Sequence, residues 1–282
     1  MPIGVFPNET GFSQGAIVTQ AKMHGVVRWF ADCGDRYIGA YLSHVDAQRL
    51  AVDQHYGLKL FFFTWAFERA GAPRAYRIAA VKAVSSLKGS QRELPTLFRQ
   101  FYRGKLNARA NPVIVRRIVE VDVPSIVQMV SRGAIREAFQ KLALKGIGPK
   151  LRAFFLRDLV TLLKAEPKLN SDPDAYLWCQ PIDVWLRFAA KHLSRTLASV
   201  PRPSAEYPLS GADLAAARCI VELSIEAGVS PLKVNQGIWY FSSNAVADMA
   251  RLKALIRSGD RTRLDAELAL MEGFLPTRPM WG

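Results

Sequence analysis

Cysteine and histidine are scarce in these 282 residues, and long apolar runs are missing. The cysteines are Cys33, Cys179 and Cys219. Their wide separation excludes a disulfide framework and a C-x-x-C metal pair. Three thiols are also too few for an iron–sulfur cluster of the four-cysteine kind. His24, His44, His55 and His192 show no metal-ligand spacing, so neither metal nor other cofactor is expected. No stretch approaches the roughly 18 apolar residues of a membrane span. The strongest candidate, residues 58–67, is interrupted by Lys59 and Thr64. The opening ten residues have neither a basic nor an apolar signal region, so a cytoplasmic protein is expected. There is no P-loop spacing. Sustained strand alternation is also missing, and only residues 26–30 and 113–123 suit short strands.

What is present is a core and an uneven charge. Half of the residues are hydrophobic and 22% are charged, which excludes global disorder. The net charge is +14. Residues 1–73 carry 6 basic and 6 acidic side chains, and residues 165–282 carry 13 of each. Residues 74–164 carry 19 basic against 5 acidic, so the whole excess lies in the middle third. A segment this basic, and still rich in core-forming residues, reads as a folded unit facing phosphates. A solvated surface that aids solubility is the alternative, but solubility gives no reason to gather the charge in one segment.

Most of the chain has helical period. Ile135, Ala138, Phe139 and Leu142 form one apolar stripe, and Leu151, Phe154, Phe155, Leu159 and Leu162 form another. Further stripes begin at Trp185, Leu214 and Ala245, with shorter candidates at 47–66, 75–87, 95–102, 112–119 and 263–272. Gly, Pro and Asp clusters separate them. The expectation is an all-α protein of roughly ten helices, with the first 35 residues undefined.

The most specific segment is Lys145-Gly146-Ile147-Gly148-Pro149-Lys150, between two of these stripes. Gly146 suits the left-handed position that ends a helix. Gly148 lets backbone approach a ligand without a Cβ. Pro149 fits a first helical turn, where its missing N–H costs nothing. Ile147 would pin the turn. A helix start offers backbone N–H groups to an anion, and Lys141, Lys145 and Lys150 stand nearby. An ordinary glycine-capped αα-turn is the competing interpretation. Further on, Pro181-Ile182-Asp183 opens another helix. Taken alone, Asp183 reads as an N-cap.

Together these motifs resemble the helix-hairpin-helix DNA glycosylase superfamily. Its signature is L-x-G-(I or V)-G-x-K followed by P-(V or I)-D. Here those read as Leu144 to Lys150 and Pro181 to Asp183. The resemblance covers residues 133–195 and is closest to the archaeal 8-oxoguanine DNA glycosylases, which share a long connector between the lysine and the aspartate. It implies a two-lobed all-α fold with the active cleft between lobes. Residues 1–73 would pack with a C-terminal lobe of 166–282, and 74–165 would form the basic lobe. It implies base-excision repair of an oxidised purine such as 8-oxoguanine, with lyase activity, by a protein acting as a monomer on double-stranded DNA that carries a damaged base. Lys150 would be the nucleophile and Asp183 the catalytic carboxylate. Lys141, Lys145, Gly146, Ile147 and Gly148 would contact DNA. Trp185, two residues after Asp183, departs from the His or Asn of many members.

The residue types suit that chemistry. Breaking an N-glycosidic bond develops positive charge on the sugar, which a carboxylate stabilises. An amine attacking C1′ must be unprotonated, and a helix N-terminus disfavours a cation. The base must be flipped out into an apolar pocket. Phe154 lies one turn after Lys150, and Trp239 is a second candidate wall, although core packing explains each of them better. Asn235 suits a base-edge reader or a surface or capping residue. A monofunctional alkyl-base glycosylase and a non-catalytic DNA-binding module are the rival expectations.

Overall fold

The computed structural model describes residues 20–67, most of 79–102, 120–144, 147–193, 209, 211–243 and 248–272. Among them every regular element is helical. In chain order the α-helices are α1 (Gln20–Tyr41), α2 (Ala47–Val52), α3 (Gln54–Phe67), α4 (Leu94–Phe101), α5 (Val123–Ser131), α6 (Ile135–Lys141), α7 (Pro149–Leu162), α8 (Val184–Leu193), α9 (Gly211–Glu226), α10 (Pro231–Phe241), α11 (Met249–Ser258) and α12 (Arg261–Glu272). A 3₁₀ segment, Pro173–Cys179, precedes α8. The helix expected at 112–119, residues 113–119 of the strand expected at 113–123, and Lys145 and Gly146 lie outside the described residues; the end of that strand is a turn at 120–122 leading into α5, which Val123 begins.

The strand expected at 26–30 is instead part of α1. Val26, Val27, Phe30, Cys33, Gly34 and Tyr37 are all buried, so the apolar pattern runs on with helical period beyond the β-branched pair. The single helix expected at 47–66 is two. Asp53 separates them: its N–H caps α2 through Arg49 O at 2.8 Å, and its carboxylate accepts from Tyr56 N at 2.9 Å in α3.

α1 packs along α10 and against α9, while α2 and α3 pack on α5. The α1–α10 crossing brings backbones into contact. A Cβ at Gly237 would lie 1.7 Å from Phe30 O, and one at Gly34 would lie 2.2 Å from Lys233 O. Only glycine fits such an approach. α10 is buried all round except at Lys233. Gln54 splices α3 to the start of α5, donating to Val121 O at 2.6 Å and accepting from Val123 N at 2.9 Å. α7 is central: it packs on α3, α5, α6 and the 3₁₀ segment, and nine of its residues are buried. No helix among the described residues is long and apolar enough to cross a membrane.

Candidate functional site

The turn before α7 is built by local forces. α6 ends at Lys141, one residue before Leu142, the last member of its apolar stripe, and turn bonds follow: Ala143 N donates to Gln140 O at 2.9 Å and Leu144 N to Leu142 O at 2.8 Å. Ile147 is 1% exposed, and its N–H reaches Leu144 O at 3.0 Å. Its carbonyl accepts from Arg152 Nε at 2.9 Å. The Arg152 guanidinium lies over the Phe139 ring at 5.3 Å, so one side chain braces the turn against α6. Burial lowers the pKa of that guanidinium from its ordinary value.

Gly148 is the N-cap of α7, at φ −72° and ψ 166°, with Pro149 in the first turn. Any residue adopts that backbone. A Cβ there would meet no atom of the described residues within 4 Å. Lys150 follows in the first turn and is half-buried. Lys141 is engaged by protein: its Nζ donates to Ser125 Oγ at 2.6 Å and to Asp122 Oδ2 at 3.3 Å, tying the end of α6 to the start of α5.

Asp183 is half-buried at the head of α8. Its Oδ1 accepts from Trp185 N at 2.8 Å and Leu186 N at 3.0 Å. These bonds fix the carboxylate by using one oxygen, and Oδ2 makes no hydrogen bond among the described residues. An N-cap and a catalytic carboxylate are therefore compatible at this position. The 3₁₀ segment that leads into Asp183 packs on α7, which carries Lys150.

The three pocket candidates lie in the interior. Phe154 is 2% exposed and Trp239 is 7% exposed, and the rings meet edge to face at 5.8 Å and 86°. Asn235 is fully buried. Its Oδ1 accepts from Arg157 Nη1 at 2.8 Å, and its Nδ2 donates to Gln180 Oε1 at 2.7 Å. It is therefore neither a surface residue nor a cap.

Asn235 belongs to a buried polar cluster that the sequence reading missed. Arg157 lies between the rings of Phe154 (4.2 Å) and Tyr37 (5.1 Å). Its Nε donates to Asp158 Oδ1 at 3.0 Å and its Nη2 to Tyr37 Oη at 3.1 Å. Tyr37 donates to Asp158 Oδ2 at 2.7 Å. Burial, and then that carboxylate, push the Tyr37 hydroxyl well above its ordinary range, so it stays a donor. Gln236 Nε2 reaches Asp158 Oδ1 and Thr161 Oγ1, both at 3.2 Å. The signal was present in the sequence: Arg157-Asp158 interrupts an otherwise apolar stretch of α7.

Other chemistry is poorly served. All three cysteines are buried, and burial pushes the Cys179 thiol far up. No metal-ligand group occurs among the described residues. A cleft of about 340 Å³ lies between the start of α6 and residues 172–178, and neither Lys150 nor Asp183 lines it. Eight of the nineteen cations of the basic third lie outside the described residues. The chain matches no protein-family model, no curated protein and no solved structure.

Proposed function

We propose that this protein is a DNA N-glycosylase with abasic-site lyase activity, removing an oxidised purine such as 8-oxoguanine from double-stranded DNA. Its fold would be the two-lobed helix-hairpin-helix arrangement. Residues 1–73 and 166–282 would form one lobe and 74–165 the basic other, although α2 and α3 pack on α5 of the basic segment. The observation that carries the reading is Gly148. Neither its backbone angles nor its packing requires glycine, so the residue makes best sense as room for something outside the protein. A phosphate at the start of α7 is that kind of ligand. The +14 middle third supplies the matching field.

In this reading Lys150 Nζ attacks C1′ of the flipped nucleotide. The C1′–N9 bond breaks, its electron pair leaves with the base, and the base takes up a proton. Asp183 balances the positive charge on the sugar through the carboxylate oxygen not spent on the cap. Ring opening gives a protonated imine between Lys150 and C1′, and loss of a C2′ proton then expels the 3′ phosphate.

Borohydride trapping on a duplex with one 8-oxoguanine tests this. The wild-type protein should form a covalent adduct, and Lys150→Gln should bind the duplex yet form none. Asp183→Asn keeps a good N-cap and should lose on the order of 100-fold in excision rate. Trapping by Lys150→Gln at wild-type yield removes Lys150 from the mechanism. Excision without any adduct leaves Asp183 and water as the working pair.

A further inference from the structure

We propose that Asn235 is a positioning residue that sets the distance between Lys150 and Asp183. The inference rests on the glycosylase reading above. Lys150 and Asp183 stand on different elements, Lys150 on α7 and Asp183 at the head of α8. Asn235 joins those elements directly. Its Oδ1 accepts from Arg157, two helical turns after Lys150 on α7 and so on the same face. Its Nδ2 donates to Gln180, three residues before Asp183. Between Gln180 and Asp183 the chain has little freedom, because Pro181 fixes its own φ and Ile182 is 4% exposed.

The direction of the link is forced. A guanidinium only donates, so Asn235 must turn Oδ1 toward Arg157 and Nδ2 toward Gln180. Gln180 must then offer Oε1, which leaves its Nε2 buried and without a partner. Arg157 is itself held by Asp158, Tyr37 and two aromatic rings, so it is a fixed anchor. Arg157, Asn235 and Gln180 are all fully buried. Replacing such a buried set as a whole by apolar side chains of the same volume is often neutral or stabilising, whereas removing one member alone leaves its partners buried and unpaired. What the polar link adds is a defined geometry between α7 and the 180–183 segment, and misplacing a reacting group by about 1 Å costs on the order of 100-fold in rate.

The test measures single-turnover excision, duplex affinity and thermal midpoint on a duplex carrying one 8-oxoguanine. Asn235→Leu and Gln180→Met each cut the link from one end. Either should lower the excision rate by about 10- to 100-fold, with duplex affinity within about twofold and a thermal midpoint only a few degrees lower, because each variant strands a buried polar atom. Asn235→Asp should restore most of the rate. It keeps the acceptor for Arg157, and a turned Gln180 amide presents its unpartnered Nε2 to the second oxygen. Wild-type rates in both apolar variants would overturn the inference, as would losses that merely track unfolding in both. A wild-type protein that excises nothing from any lesion duplex would sink the glycosylase reading and this inference with it.

Discussion

Gly237 and Gly148 are the same residue used in opposite ways. Gly237 sits where α10 crosses α1, and the carbonyl of Phe30 occupies the space a Cβ would need. Gly148 begins α7 with ordinary angles and open space around it. One glycine is demanded by the interior; among the described residues, only an N-cap preference favours the other. The contrast separates residues that make the fold from residues whose reason lies in a ligand. It also separates the charge-balanced ends of the chain, which supply α1 and α10, from the basic middle, which supplies the turn.

The largest effect should come from Gly237→Ala. The clashing atom is backbone, so α1 and α10 must move apart along a buried interface. The expected loss is about 3–5 kcal/mol, read as a fall in the urea midpoint at unchanged slope. A near-native midpoint would mean the crossing is looser than the geometry requires, and the comparison would lose its interior half.

Gly148→Val probes the other half. Valine tolerates this backbone, and the lost cap preference should cost no more than about 1 kcal/mol. Duplex affinity should fall by about tenfold or more, because the branched side chain stands where a phosphate would approach the helix start. Wild-type affinity in a stably folded Gly148→Val protein would leave that glycine unexplained and remove the main support for a DNA ligand.

Lys141 lies between these extremes. Its ammonium already faces Asp122 and Ser125. Replacing it with methionine should cost under about 1 kcal/mol, as for other exposed ion pairs. A full phosphate contact contributes about 0.9 to the log–log salt slope. The expected change is a fraction of that, since Asp122 offsets much of the charge before any DNA arrives.

How much of this was legible depended on whether a helix has a polar face. α6, α8, α9 and α11 bury one side and expose another, and their stripes stand out in the sequence. α10 does not, because it is buried all round and so shows no period. In α1 the adjacent Val26 and Val27 imitate a strand, while Gly25, Gly34 and Gly39 obscure the helix. The α2–α3 break was hidden because Asp53 ends one helix and opens the next with no Gly or Pro between them. The motif residues Gly148, Pro149 and Asp183 were readable because their chemistry is local: a cap, a first turn and a backbone angle. Asn235, Gln180 and Tyr37 were not, because their roles come from partners 55, 78 and 121 positions away.

His192 should give the smallest effect and the cleanest division between stability and binding. Burial, and then Lys253, Arg257 and Lys191, lower its pKa from the ordinary value. The folded protein therefore resists protonating this ring more than the unfolded chain does. Its contribution is fully present above about pH 6.5 and is lost as pH falls through the unfolded pKa toward the depressed folded one. His192→Phe keeps the edge contact with Phe188, seen at 4.5 Å, and removes the titration. The thermal midpoint of the wild-type protein should drop more steeply between about pH 7 and 5 than that of the variant. Duplex affinity at fixed salt should show no such difference, because His192 and its three cations belong to the balanced third of the chain. If the substitution changes the pH dependence of DNA binding instead, the polyanion surface extends onto α8 and α11, and the charge-balanced end has a share in the ligand.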